Sequence, residues 1–163
     1  MADAPILPMI ERRRIEAEML KHVYDTLKAT HGVETAKATI AESVRRSSIA
    51  QAAGFAAQAR AQGGTSMASF AALRPLWRMN DALEVEIVEE TPVKLSYNVS
   101  RCRYAEMYKA MGLGEIGHLL SCQRDGTFCE GYDKRLKLTR TQTIMQGAPH
   151  CDFRYRRRPN DAR

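Results

Sequence analysis

At Leu83 the spacing of apolar residues changes, and nothing else in the chain constrains the fold as strongly. Ahead of it they recur at helical spacing. Ile15, Met19, Val23 and Leu27 fall every four residues, which predicts one buried helix face. Gly32 then stands where a left-handed helix stop is expected. Ala36, Ile40 and Val44 open a second helix near Val33 that continues through Ile49 toward Ala59. Of the 22 alanines, 18 precede Leu83, so the strongest helix former is concentrated in this half. Gly63-Gly64 breaks the chain, and Met67 to Leu73 reads as a short helix closed near Pro75 and Trp77.

Beyond Leu83 the period is two, the mark of strands with one buried face. Leu83, Val85 and Ile87 alternate with Glu84 and Glu86, and Val93, Leu95, Tyr97 and Val99 with Lys94, Ser96 and Asn98. Glu90-Thr91-Pro92 is the expected hairpin turn. Arg103 to Met111 and Glu115 to Ser121 read as short helices. Arg135 to Met145 reads as a third strand, and Cys151, Phe153 and Tyr155 mark a fourth after the Gly147-Ala148-Pro149 turn. Helices followed by strands predict an α+β fold, with the N-terminal helices packed on an antiparallel sheet of about four strands. The expected organisation is one domain over 1–163, with a helical part at 1–82, a strand-helix-strand part at 83–157 and a basic tail at 158–163.

With 163 residues and 44% hydrophobic content, the chain can bury a core without a disulfide or metal staple. No run of about 18 apolar residues is present, which excludes a membrane-spanning helix. The N-terminus lacks the apolar core of a secretory signal, so a cytoplasmic location is expected. There the four cysteines are expected as thiols, metal ligands or catalytic groups. The net charge of +6 owes much to the Arg154–Arg158 region, a solvated strand end and tail for which nucleic acid is an unlikely partner.

Motifs such as GxGxxG, Walker A, HExxH and CxxC are missing. The candidate chemistry lies instead at element ends. Cys102 closes a strand, Cys122 a helix, and Cys151 opens the last strand, whereas Cys129 carries no such placement. Each also reads as a small buried hydrophobe. Arg101, Arg103 and Arg124 stand nearby in sequence, and neighbouring cations lower a thiol pKa. Cys102, Cys122 and Cys151 are also the expected ligands should zinc or another metal be held, although their spacings match no zinc knuckle. His118 and His150 are the histidines suited to a site. Arg140 shares the predicted strand face of Leu136 and Leu138 and needs an anionic partner, either a bound carboxylate or a structural one such as Asp125.

The runs Ser100–Tyr108, Met111–Gly117 and Leu119–Asp125, with Leu138–Thr143, Gly147 and Cys151–Tyr155, resemble the L-2-amino-thiazoline-4-carboxylic acid hydrolase family. Tyr132-Asp133-Lys134 stands where that family often has an Asn-Pro pair. The resemblance implies hydrolytic opening of a 2-aminothiazoline ring to N-carbamoyl-cysteine, and so a small anionic or heterocyclic substrate with no cofactor required. The attacking group would then be either the Cys122 thiolate or water itself, with Asp125 as base or water orienter. Cys151, Cys102 and His150 complete the expected catalytic set, and Arg140, Thr141, Tyr104 and His118 the substrate-binding set. Helices followed by a sheet bearing cysteines equally describe 4-vinyl reductase-type modules, which bind small ligands or metal. The small-residue surface around Gly54 faces either the sheet or a second copy of the chain.

Overall fold

The computed structural model describes residues 6–159. Residues 160–163 of the expected tail and the first five residues of the chain lie outside that range. Helices α1 (Met9–His31) and α2 (Val33–Ala61) come first, followed by the short helices α3 (Met67–Ala71) and α4 (Arg74–Arg78). Strands β1 (Leu83–Glu90) and β2 (Lys94–Cys102) lead to α5 (Arg103–Ala110). A π-helical turn, His118–Cys122, runs into α6 (Gln123–Tyr132), and β3 (Leu136–Thr139) and β4 (Cys151–Arg157) complete the chain. The four strands form one antiparallel sheet in the order β1-β2-β4-β3, so the fold is α+β with two hairpins joined through β2 and β4.

Only Gly32, at φ 86°, separates α1 from α2. A side chain is disfavoured in that conformation. The helices fold back on one another, and Arg13 near the start of α1 reaches Gln51 far along α2 at 2.7 Å. The predicted face of α1 is the wrong one. Ile15, Met19 and Val23 are exposed, and the buried stripe is Ile10, Arg13, Ala17 and Tyr24. Small Ala17 permits close packing, while the arginine and tyrosine bury long bodies, and Arg13 keeps its tip bound to Glu16 and Gln51. On α2 the buried stripe is Ala36, Ile40, Val44, Ser48, Ala52 and Ala56, which extends the predicted one.

The sequence reading missed α6, stopping that helical segment at Ser121. The helix packs along α2, with Ser48 Oγ donating to the Arg124 carbonyl and Gln123 Nε2 to the Ala41 carbonyl. The small residues of α2 thus receive α6. A Cβ placed on Gly131 would lie 2.3 Å from the Ile49 carbonyl oxygen and 2.9 Å from the Ala52 Cβ.

The third strand is shorter than expected and ends at Thr139. The Asp152 carboxylate accepts the backbone N–H groups of Thr141 at 2.9 Å and Gln142 at 3.0 Å, and the Thr141 hydroxyl at 2.5 Å. Local side-chain bonds of this kind offer backbone an alternative to the ladder. Arg140 therefore lies in the loop after β3, not within the sheet.

Two apolar clusters fill the interior. One gathers Ile10, Tyr24, Ile40, Tyr108 and Ile116 around α1, α2 and α5. The other gathers Ala52, Leu95, Phe128, Tyr132, Phe153 and Tyr155 between the sheet, α2 and α6. Leu83, Cys102 and Ile144 pack against both and mark the seam between them.

Candidate functional site

Two adjoining chambers open beside that seam. The first, about 70 Å³, is lined by Cys102, Tyr104, Ser121, Cys122, Arg140, Cys151 and Val99. The second, about 80 Å³, is lined by Phe70, Arg74, Tyr97, Phe128 and Tyr155 among others. They share Arg13, Trp77, Leu83, Arg124, Asp125 and Phe153. Each is several times the roughly 10–15 Å³ that one ordered water takes.

The turn into α6 sets the chemistry. Ser121, Cys122, Arg124 and Asp125 share one face there, and π-helical turns are frequent at functional sites. Asp125 Oδ2 meets Arg140 Nη1 at 2.6 Å, and Arg140 Nη2 donates to the Cys122 carbonyl at 2.9 Å. The guanidinium lies 4.9 Å from the Phe153 ring centroid. Burial raises the Asp125 carboxyl above its ordinary value, against the opposing pull of Arg140. The carboxylate keeps 28% of its surface, and that surface faces the chambers. Of the two partners open to Arg140, the intramolecular one is therefore occupied.

The thiols do not behave as their sequence neighbours suggested. Burial pushes Cys102 up to about 11 and Cys122 up to about 12, and raises Cys151 as well. The flanking arginines are engaged elsewhere, Arg101 with Glu106 and Arg103 with the Asn80 carbonyl. Cys102 Sγ accepts the Ala105 N–H at 3.4 Å and caps α5, and Cys151 Sγ accepts the Ile144 N–H at 3.2 Å. Cys129, buried one turn beyond Asp125 on α6 with its thiol donating to the Asp125 carbonyl at 3.6 Å, is pushed up to about 12. The three cysteines line one chamber. Among the described residues no group of three His, Cys, Asp or Glu side chains is placed to hold a metal ion.

The other expected residues divide. Tyr104 lines the first chamber, and its hydroxyl donates to the Trp77 carbonyl at 3.0 Å. Thr141 is exposed and bound to Asp152. His150 is half-buried before β4 and is not among the residues lining either chamber, and its carbonyl accepts from Gln142. His118 opens the π-helical turn and also stays outside the chambers, its pKa lowered by burial and Lys37.

Arg13 and Arg124 belong to the site and were not foreseen. Only 3% and 8% exposed, they share Glu16, which accepts Arg13 Nη1 at 2.7 Å and Arg124 Nη2 at 3.1 Å. Burial, with Arg13 close by, lowers Arg124 to about 10. Three arginines here face two carboxylates, Glu16 and Asp125. The local balance is one positive charge, which favours an anionic occupant. The Arg13–Glu16 spacing was a readable sign of a side-chain pair, but nothing local showed that it is buried.

The profile of the L-2-amino-thiazoline-4-carboxylic acid hydrolase family matches residues 12–155. The chain belongs to that family. No curated protein matches this family member. Among solved structures, the phenol-responsive sensory domain of the transcription activator PoxR, with phenol, is 12% identical at a TM-score of 0.53. The alignment covers 89% of the amino-thiazoline hydrolase family chain and 74% of the sensory domain, and it shows a shared fold.

Proposed function

We propose that the chain is a hydrolase that opens a small heterocycle bearing nitrogen, sulfur and a carboxylate, with Asp125 as the base for attacking water. The observation that carries this reading is Asp125 itself, a carboxylate with a raised pKa that faces the chambers and is held in place by Arg140. A base of this kind takes a proton from water best when its pKa lies closer to the working pH.

In this reading the water oxygen bonds to the ring carbon between nitrogen and sulfur. Its first proton passes through Asp125 to the ring nitrogen. The carbon–sulfur bond then breaks as the carbonyl forms, and the hydroxyl proton passes to the departing sulfur. One water is consumed, and the product carries a free thiol and a carbamoyl group, as the family name implies. Arg140 holds Asp125 in its charged form, and the excess positive charge at Arg13 and Arg124 suits the substrate carboxylate. The raised thiol of Cys122 favours water over a covalent sulfur intermediate, because the thiolate is the nucleophile. The test is a ring-opening assay on 2-aminothiazoline-4-carboxylate that follows thiol release. No release above the uncatalysed rate ends the proposal.

A second reading is a ligand-sensing module. The aromatic wall of the second chamber favours it, with Trp77 edge-on to Phe128 at 5.4 Å and Phe70 to Tyr155 at 4.9 Å. The related fold of a phenol-responsive domain supports it as well. Saturable binding of small ring compounds with no turnover would select this reading.

A further inference from the structure

The second chamber contains a polar group that neither reading uses. Arg74, on α4, donates through Nε to the Ala71 carbonyl at 3.1 Å and through Nη2 to both Glu90 oxygens at 2.9 and 3.1 Å. Its Nη1 is buried without a hydrogen-bond partner among the described residues, and Arg74 lines the chamber. A buried charged donor left unmet costs more than a neutral one, so it needs an explanation. Around it stand aromatic rings. Tyr97 stacks on Phe153 at 4.8 Å, and Phe70 and Trp77 close the chamber from α3 and α4. Both tyrosine hydroxyls there are held neutral by burial, and the carboxylate of the lining, Asp125, is paired with Arg140 and not with Arg74.

The geometry points to the second chamber as a binding site for an aromatic monocarboxylate, its ring against Trp77 and Phe70 and its carboxylate on Arg74 Nη1. The apolar walls select a flat ring, and the unmet guanidinium donor selects an acceptor at one end. Glu90 neutralises the outer edge of Arg74 in the exposed rim, which leaves the inner edge for the ligand. The site holds whether the first chamber hydrolyses its ligand or only senses it.

Trp77 is the single tryptophan, so its fluorescence reports the chamber. The experiment titrates the full chain with benzoate and, separately, with benzyl alcohol, a neutral probe of similar shape. Benzoate is expected to bind at least tenfold more tightly. Arg74→Gln should reduce that preference below threefold, whereas Phe70→Leu should weaken both probes alike and leave the ratio intact. Equal affinity for the two probes in the unmodified protein overturns the proposal without reference to any variant. So does a benzoate preference that survives in Arg74→Gln. Should Arg74→Gln fail to fold, Arg74→Lys serves in its place, because a lysine supplies one point charge without the planar fork and should lower the preference severalfold. An unchanged ratio in Arg74→Lys overturns the proposal too. Binding is read without turnover, so a chain that hydrolyses nothing still decides this question.

Discussion

Asp125 on α6 and Arg140 in the loop after β3 form a 2.6 Å ion pair, in which the carboxylate lines both chambers and the guanidinium lines the first. The arginine is anchored a second time on the Cys122 carbonyl, so the carboxylate is fixed in direction. Asp125→Asn keeps an acceptor for Arg140 but removes the base. It should lower kcat for ring opening by about 100-fold or more. Destabilisation should stay near 2 kcal/mol, less than deletion of one partner of a buried pair, since the amide oxygen still accepts. Steady-state kinetics beside a thermal melt check both parts. An Asn variant with unchanged kcat removes Asp125 from the mechanism.

The pH profile follows from the same pair. Asp125 must be deprotonated to act, and burial raises its pKa while Arg140 lowers it. The acidic limb of kcat/KM should therefore lie above the value near 3.9 of a free aspartate. Arg140→Gln removes the lowering influence, so the limb should move to still higher pH. A limb at or below pH 4, or one that moves to lower pH in that variant, contradicts the assignment.

Cys122 should be slow to react and dispensable as a nucleophile. Its thiol is pushed up to about 12 by burial, so the thiolate is scarce near neutral pH. Cys122→Ser is expected to retain turnover within about tenfold, and iodoacetamide should label the folded protein far more slowly than the denatured chain. Loss of activity by a factor above about 1,000 in Cys122→Ser would restore the covalent mechanism.

Much of the fold was legible in the sequence because burial follows the hydrophobic period. The change at Leu83, the α2 stripe and the paired hairpins all appear in one dimension. What stayed hidden depends on contacts between distant segments. Helix α6 carries Gly126 and Gly131 and a polar first turn, so no periodic face announces it. Arg140 leaves the sheet because Asp152, on another strand, captures the residues that follow it. The flanking arginines suggested activated thiols, yet Arg101 turns to Glu106 and the sulfurs turn inward. Asp125, Cys102, Cys122 and Cys151 were singled out in the sequence for their chemistry, and all four line the first chamber. Arg13 and Arg124 were not, since a buried arginine looks like a surface one until its neighbours are known.

Gly131 tests how closely α6 must approach α2. A Cβ there meets the Ile49 carbonyl oxygen at 2.3 Å, and that atom is backbone with little room to move. Gly131→Ala should destabilise by about 1–3 kcal/mol, despite the better helix propensity of alanine. In a chain of this size that is a fall on the order of 5 °C in Tm. A melt at or above the original Tm would show that the helices are free to separate.

Asp133 offers a pH test of stability that is independent of the site. It accepts Arg135 and Arg157 at 2.9 Å and the Thr65 hydroxyl at 3.1 Å, which ties α6, β4 and the segment before α3 together. Burial pushes its carboxyl up, but these bonds outweigh that and hold it well below the usual range. A carboxyl lowered in the folded state adds stability above its unfolded pKa, and that contribution fades as pH falls toward the folded value. Asp133→Asn should therefore lower Tm at pH 7 by on the order of 5 °C, for a loss of about 2 kcal/mol in charge-assisted bonds. The gap between the two proteins should narrow progressively below about pH 4, where the unfolded aspartate takes up its proton. Paired melts from pH 7 to pH 3 measure it, and a gap that widens toward acid would mean that Asp133 contributes through its shape and not its charge.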